Sequence, residues 1–266
     1  MATPDAQARP HRIVSLNLCT DELVLRLADP GQIASVTWLA RNSTASNVSG
    51  RARSVPLNHG LAEQVLTQRA DLVLAGTYTT RTTVAFLRRL GIPVIELPPP
   101  SDLGEAYRQI REVAALVGHA DRGEVMVASM RASLASTPLP ERDRVRAFVL
   151  QPNGFTVQKG SLVDTLMRQA GLRNLAAEER LGAQGQVPLE QVVLADAELL
   201  IVDGDDGDHP ALANAVLHHP VLDRLGGRVR IVRFPHRLWT CAGPGLVEAV
   251  RRLSEEAGRI RRTVAP

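Results

Sequence analysis

Cysteine is nearly absent from this 266-residue chain, with two residues in all. That excludes a disulfide-dense scaffold, a four-thiolate zinc site and a cysteine-held iron–sulfur cluster built by one chain. Aromatic residues are as scarce, at 3%. No apolar stretch approaches the ~20 residues needed to span a bilayer, and no low-complexity run interrupts the chain. A phosphate-cradling Gly-rich loop with Lys, G-x-S-x-G, H-E-x-x-H and C-x-x-C are all missing, so the short motifs of common catalytic sites are not there to be read. Charge of one sign does not dominate: 31 basic and 28 acidic residues leave +3. The arginines spread over helices at Arg88, Arg89, Arg251, Arg252, Arg261 and Arg262, as a solvated face does, rather than clustering for nucleic acid. Met1 to Pro10 is polar and lacks the apolar core of a secretion signal.

What is present reads as a globular α/β protein, with 44% hydrophobic and 22% charged residues. The length suits two domains, each with its own core. The chain is organised around a long helical stretch from Ser101 to about Ser136. Its apolar residues Leu103, Tyr107, Ile110, Val113 and Val117 recur at steps of three and four, and so do Val127, Met130 and Leu134. Ser101 follows Pro98 to Pro100, and Asp121 and Glu124 open a second start after Gly118, so two capped helices are expected to meet near His119. The second is expected to run roughly 17 residues, about 25 Å. Pro138 and Pro140 close the segment, so it reads as a stiff connection rather than a Gly/Ser hinge.

On either side, short apolar strands alternate with helices. Residues 12 to 16, Ile33 to Thr37, Leu72 to Ala75 and Pro93 to Leu97 are predicted strands before the helical stretch. Val145 to Leu150, Leu199 to Val202 and Val229 to Phe234 are predicted strands after it. Thr20 is expected to cap the first helix, Gly91 to end the helix from Thr82, and Gly171 the helix from Ser161. The last helix starts at Gly245. This grammar predicts parallel sheets covered on both faces. The halves also echo each other: Glu63-Gln64-Val65 before Ala70-Asp71-Leu72-Val73-Leu74 is matched by Glu190-Gln191-Val192 before Ala197-Glu198-Leu199-Leu200-Ile201. Two Rossmann-like α/β lobes are therefore expected, over 11–100 and 141–266, with 101–140 as the helical linker and a ligand cleft between the lobes.

In open α/β sheets, ligands sit outside the carboxyl ends of the strands. Both tryptophans fall in such loops, Trp38 after the second strand and Trp239 after the last. Tyr78 follows Leu72 to Ala75, and Phe155 follows Val145 to Leu150. Rings so placed suit a flat or bulky ligand, giving wide apolar contact at little entropy cost, though capping of a local core would place an indole there too. Arg41, Arg81 and Arg237 occupy the same loops, where they could pair with ligand carboxylates or phosphates. His236 is the one histidine in such a loop and is a candidate metal or ligand contact; His59, His218 and His219 read as capping or solvated groups. Cys19 and Cys241 each lie just after a strand and beside a helix start, one per predicted lobe. A disulfide clamping the lobes and two separate buried thiols both remain open, whereas no His and acid surround either thiol as a nucleophile needs. The run Asp203 to Asp208 lacks the distal Glu of an EF-hand and reads as an exposed acidic turn.

Taken in order, Arg12-Ile-Val-Ser-Leu16 leading to Thr20-Asp21-Glu22-Leu23, Ala70-Asp71-Leu72-Val73, Gly91-Ile-Pro-Val94, Lys159-Gly160-Ser161-Leu162-Val163-Asp164 and Ala170-Gly171-Leu172-Arg173-Asn174-Leu175 resemble the class III periplasmic substrate-binding proteins of ABC importers. The resemblance spans roughly Arg12 to Leu253. It implies two α/β lobes joined by a long rigid helix. It also implies that a metal chelate, a corrinoid such as cobalamin or a ferric siderophore, with haem third through Tyr78, is bound by Trp38, Arg41, Tyr78, Arg81, Phe155, Arg237 and Trp239. No catalytic residue, resident cofactor or protein-held metal is implied. The implied partners are the chelate and an ABC permease at the membrane, not nucleic acid. The implied form is a monomer in the periplasm with its signal peptide already removed. Relatives of the cobalamin-binding member dock through one exposed Glu per lobe; here the first-lobe position is Arg81. The alternative from another class is a nitrogenase-like enzyme component sharing the architecture, whose clusters demand more cysteines than two.

Overall fold

The computed structural model describes residues 9–135, 141–178, 185–204, 212–225 and 228–264. These divide into two compact units. The first takes the described residues up to Pro100, Gly104–Arg131 and Thr240–Pro244; the second takes Ser101–Leu103, Ala132–Trp239 and the residues from Gly245 onward.

The first unit begins with β1 (Ile13–Ser15), α1 (Leu18–Leu27), β2 (Ile33–Thr37), β3 (Leu57–Asn58) and α2 (Ala62–Thr67). β4 (Leu72–Gly76), α3 (Arg81–Arg89), β5 (Val94–Leu97), α4 (Leu103–Leu116) and α5 (Ala120–Ser133) follow. Its strands form one parallel sheet in the order β3-β2-β1-β4-β5. The strands are short and apolar because helices cover both faces, so no polar side has to alternate with the buried one. Val14, Val73, Val94, Val65, Val84 and Leu87 pack together as one core.

Asn17, not Thr20, caps α1: its side chain accepts from the Cys19 N–H at 2.9 Å. The helix therefore starts at Leu18, and the Thr20 hydroxyl turns inward to donate to Asn17 O at 2.8 Å. The central helical stretch resolves into α4 and α5, of 14 residues each, so the second is shorter than expected. Gly118 ends α4 with φ +81°, and the His119 N–H donates back to Ala114 O at 2.7 Å. Gly123 is needed where the two helices cross, since a Cβ there would lie 2.5 Å from Ala114 Cβ. The junction is fastened within its unit: Asp29 takes His119 Nε2 at 3.0 Å and Arg122 Nη2 at 2.6 Å. Pro138 and Pro140 lie outside the described residues.

The second unit holds β6 (Val145–Leu150), α6 (Leu162–Gln169), β7 (Leu172–Asn174), α7 (Leu189–Leu194) and β8 (Leu199–Asp203). α8 (Pro220–Leu225), β9 (Arg230–Phe234), α9 (Arg237–Thr240) and α10 (Gly245–Val264) complete the chain. The sheet is again parallel, in the order β7-β6-β8-β9. Ser161 caps α6 by accepting from the Asp164 N–H. Leu246, Ala249, Val250, Leu253, Ala257 and Ile260 form the buried stripe of α10 at helical spacing.

The sequence echo is a structural repeat. α2–β4 and α7–β8 carry the same connection. Arg69 and Asp196, each three residues before its strand, both adopt positive φ, at 51° and 48°. Asp71 accepts from the Arg12 N–H at 2.9 Å, and Glu198 from the Arg146 N–H at 2.9 Å. In each unit an acid one residue before the strand that follows this connection, β4 or β8, thus closes onto the start of the unit's first strand. β3 and β7 were not expected from sequence; at two and three residues they are too short to show a period.

Candidate functional site

In the order β3-β2-β1-β4-β5, the chain changes direction of travel across the sheet between β1 and β4. The carboxyl ends of that strand pair are where an open α/β sheet leaves a crevice. A recess of about 190 Å³ opens there. Asn17, Cys19 and Thr20 line it after β1, Gly76, Thr77 and Tyr78 after β4, and Leu97 to Pro100 after β5. Gln109 of α4 and Thr240 complete the wall. Gly76 has to be a glycine for this arrangement, because a Cβ there would sit 2.8 Å from Asn17 Nδ2. Gln109 is only 8% exposed, and its Nε2 donates to Pro98 O at 2.8 Å, which holds the Pro98–Pro100 segment against α4.

Cys241 forms a disulfide with Cys19, with Cα atoms 5.0 Å apart. Both cysteines belong to the first unit, so the bond fastens Thr240–Pro244 within that unit, where the sequence suggested one cysteine per lobe. Gly243 packs on Glu22, as a Cβ at that position would lie 2.8 Å from Glu22 Oε1.

Around the same edge of the sheet lie the rings. Trp38, 49% exposed, stacks with His59 at 6.3 Å between centroids and 26° between planes. Tyr78 is 87% exposed at the recess. Arg81 opens α3 and is exposed. Arg41 differs from expectation: its guanidinium donates to Ala52 O, Arg53 O and Val55 O at 3.1, 3.1 and 2.9 Å. It therefore staples the irregular stretch before β3 instead of reaching for a ligand.

In the second unit, Phe155 is half-buried in the turn after β6 and bridges to Gln186. His236 and Arg237 are half-buried at the end of β9. Trp239 also departs from expectation: it is 4% exposed and stacked on Phe234 at 4.3 Å and 27°. The short α9 turns the indole back onto the ring that ends β9, so it completes the local core. A second hollow beside α6 and β7 is lined by Arg144, Lys159, Arg168, Arg173, Asp164 and Glu178. Arg173 grips Glu178 with two bonds of 2.7 and 2.8 Å. Asp205 to Asp208 lie outside the described residues.

Under the recess, Asp21 is fully buried and accepts from the Thr37 N–H at 3.0 Å and from the Thr37 hydroxyl. Burial pushes its carboxyl up to about 7 against those stabilising bonds. Glu22 is raised for the same reason, with Arg26 and Asn47 opposing. Both carboxyls are enclosed by protein groups, so they tie α1 to its surroundings. Among the described residues no three His, Cys, Asp or Glu side chains converge as metal ligands, and no helix is long and apolar enough to cross a membrane.

The recess at β1 and β4 has room for a ligand, and among its described lining residues none is a histidine, an acid, a lysine or a free thiol. Residues 13–226 match the family described as periplasmic binding protein. The chain belongs to that family. A cobalamin-binding protein of Halobacterium salinarum is 25% identical over 219 residues, 79% of this chain and 58% of the relative. The chain therefore spans a little over half the length of that curated relative. Among solved structures of the family's fold, the apo periplasmic haem-binding protein RhuT from Roseiflexus sp. RS-1 superposes with a TM-score of 0.73 at 22% identity. That match covers 94% of this chain and 99% of RhuT. The periplasmic vitamin B12 binding protein BtuF of Vibrio cholerae gives 0.68 at 15% identity, over 95% and 98% of the two chains.

Sequence reasoning nominated Tyr78 at the recess, passed over Asn17 and Gln109, and read His59 as a capping or solvated group. The same rule about strand ends, applied to the loop after β1 as strictly as to the others, points to Asn17; His59 follows β3, which is too short to be expected from sequence. Gln109 carries no sequence signal, because only packing turns that face of α4 toward Pro98.

Proposed function

We propose that this chain is a substrate-binding receptor that captures a metal chelate and hands it to an ABC importer, performing no chemistry on its cargo. The favoured cargo is a corrinoid such as cobalamin or a ferric siderophore. One observation carries the reading: a recess at the β1/β4 crevice with exposed aromatic rings along the same sheet edge and no catalytic group lining it. Trp38 with His59, and Tyr78, supply flat apolar contact for a macrocycle or ligand shell. Arg81 of the first unit, and Phe155 and Arg237 of the second, are further candidate contacts. The family description supports a binding protein, and the cobalamin-binding relative supports the same class of cargo. The proposed setting is the periplasm, the proposed form a monomer, and the proposed partner at the membrane the importer's permease.

A haem receptor is the second reading. It is favoured by Tyr78, whose ring is 87% exposed at the rim and free to approach an iron axially. Mixing the protein with cyanocobalamin, a ferric hydroxamate or haemin and recording visible spectra separates these cargoes. The account expects at least one spectrum to shift, with quenching of Trp38 emission. Spectra unchanged by all three, together with turnover of some small substrate, contradict it.

A further inference from the structure

The recess at β1 and β4 is uncharged. None of its twelve lining residues carries an ionisable acid or base that is charged near neutral pH. Its polar character comes from two primary amides, Asn17 and Gln109, and from hydroxyls of Thr20, Thr77, Tyr78 and Thr240. The amides are only half used. Asn17 Oδ1 accepts from the Cys19 N–H, and among the described residues no protein group accepts from its Nδ2. Gln109 Nε2 donates to Pro98 O, and among the described residues nothing donates to its Oε1. One wall therefore offers a spare N–H donor and the other a spare C=O acceptor, on a side chain that is 8% exposed. That combination complements a primary carboxamide, which accepts through its oxygen and donates through its nitrogen.

We infer that this recess reads a neutral, amide-bearing arm of the chelate and discriminates against chelates whose edge carries carboxylates; the inference rests on the receptor reading above. At about 190 Å³ the recess holds a side arm rather than a whole macrocycle, the ring itself being left to the exposed aromatics. A carboxylate entering here loses hydration, finds no side-chain cation among the lining residues beyond the dipole of α1's first turn, and meets Gln109 Oε1, an acceptor with which it cannot pair. Arg41 is tied to three backbone carbonyls, and Arg81, exposed at the start of α3, is not among the residues that line the recess. A corrin rimmed by carboxamides fits this description; a porphyrin with two propionates does not. Selection works by leaving the wrong partner's polar groups unmatched, which discriminates more sharply than apolar contact alone.

The test compares affinities of the intact oxidised protein for cyanocobalamin, for a cobalamin derivative with one peripheral amide hydrolysed to the acid, and for haemin. The expected result is at least about tenfold tighter binding of the all-amide corrinoid than of the other two. Asn17→Asp keeps an oxygen to cap α1, since Asp and Asn are equally good caps, while replacing the donor with a charge. That variant is expected to lose about tenfold or more toward cyanocobalamin with an unchanged melting temperature. Equal or tighter binding of haemin or of the acid derivative, or an Asn17→Asp variant that binds as the parent does, overturns the inference and leaves the receptor reading standing. Failure to bind any chelate overturns both.

Discussion

Cys19 and Cys241, 222 positions apart in sequence, are bonded to each other at the wall of the first unit's recess, with Cys19 and Thr240 both lining it. A bond closing so long a loop removes much of the unfolded chain's freedom, which is worth roughly 2–5 kcal/mol. Thiol titration of the unfolded, unreduced protein should find no free cysteine, and reduction should lower the melting temperature and weaken chelate binding together. Two free thiols in the unreduced protein, or binding unchanged by reduction, would count against a role for this bond in shaping the wall.

Asp21 makes a prediction in pH. Its carboxyl is raised from 3.8 to about 7, by burial above all. A folded value above the unfolded one means that this group favours the fold fully below about pH 4. Its contribution then fades as pH rises through 7, where the fold must carry a buried carboxylate. The shift corresponds to on the order of 4 kcal/mol between the two limits. Asp21→Asn mimics the protonated form and can still accept from the Thr37 N–H. The variant should be more stable than the parent at pH 8 and close to it at pH 4 in chemical denaturation. Parallel stability curves across that range would show that Asp21 does not titrate with folding. Opposing it at acid pH are carboxylates held low by arginine, among them Glu248, lowered to about 2 by Arg251 and Arg252; stability from these is lost as pH falls through their folded values.

The two tryptophans should separate in their behaviour. Trp239 is buried against Phe234, and among the described residues its Nε1 has no hydrogen-bond partner. Trp239→Phe therefore forfeits no hydrogen bond and should cost under about 1.5 kcal/mol, whereas Trp239→Ala opens a cavity worth about 3–5 kcal/mol. Trp38 is half exposed, so Trp38→Ala should leave the melting temperature nearly unchanged and weaken chelate binding about tenfold. In the Trp239→Phe protein the remaining emission comes from Trp38 and should be quenched by iodide and by a coloured chelate. An iodide-protected Trp38 would contradict its placement.

Much of the fold is readable in the chain because the determinants are local. Runs such as Leu72–Val73–Leu74 are apolar throughout, as parallel strands buried on both faces must be, and Gly91, Gly118 and Gly171 sit at helix ends with φ of 76°, 81° and 78°. The Ala70-Asp71 and Ala197-Glu198 echo was legible for the same reason: one connection is built twice. The site was harder to read. Arg41 and Trp239 carry the right chemistry in the right loops, yet backbone carbonyls claim the first and Phe234 the second. Which groups a fold spends on itself is decided by packing between distant segments, and sequence position alone does not record it. The reverse holds for Gln109, an unremarkable helix residue until α4 settles against Pro98.

Equilibrium dialysis of the oxidised protein against cyanocobalamin, a ferric hydroxamate and haemin tests the central claim most directly. The account predicts that a corrinoid or the ferric hydroxamate accumulates on the protein side at one chelate per chain and that Trp38→Ala reduces the retention. Equal concentrations of all three chelates on both sides of the membrane, with the protein folded and its disulfide intact, would contradict it.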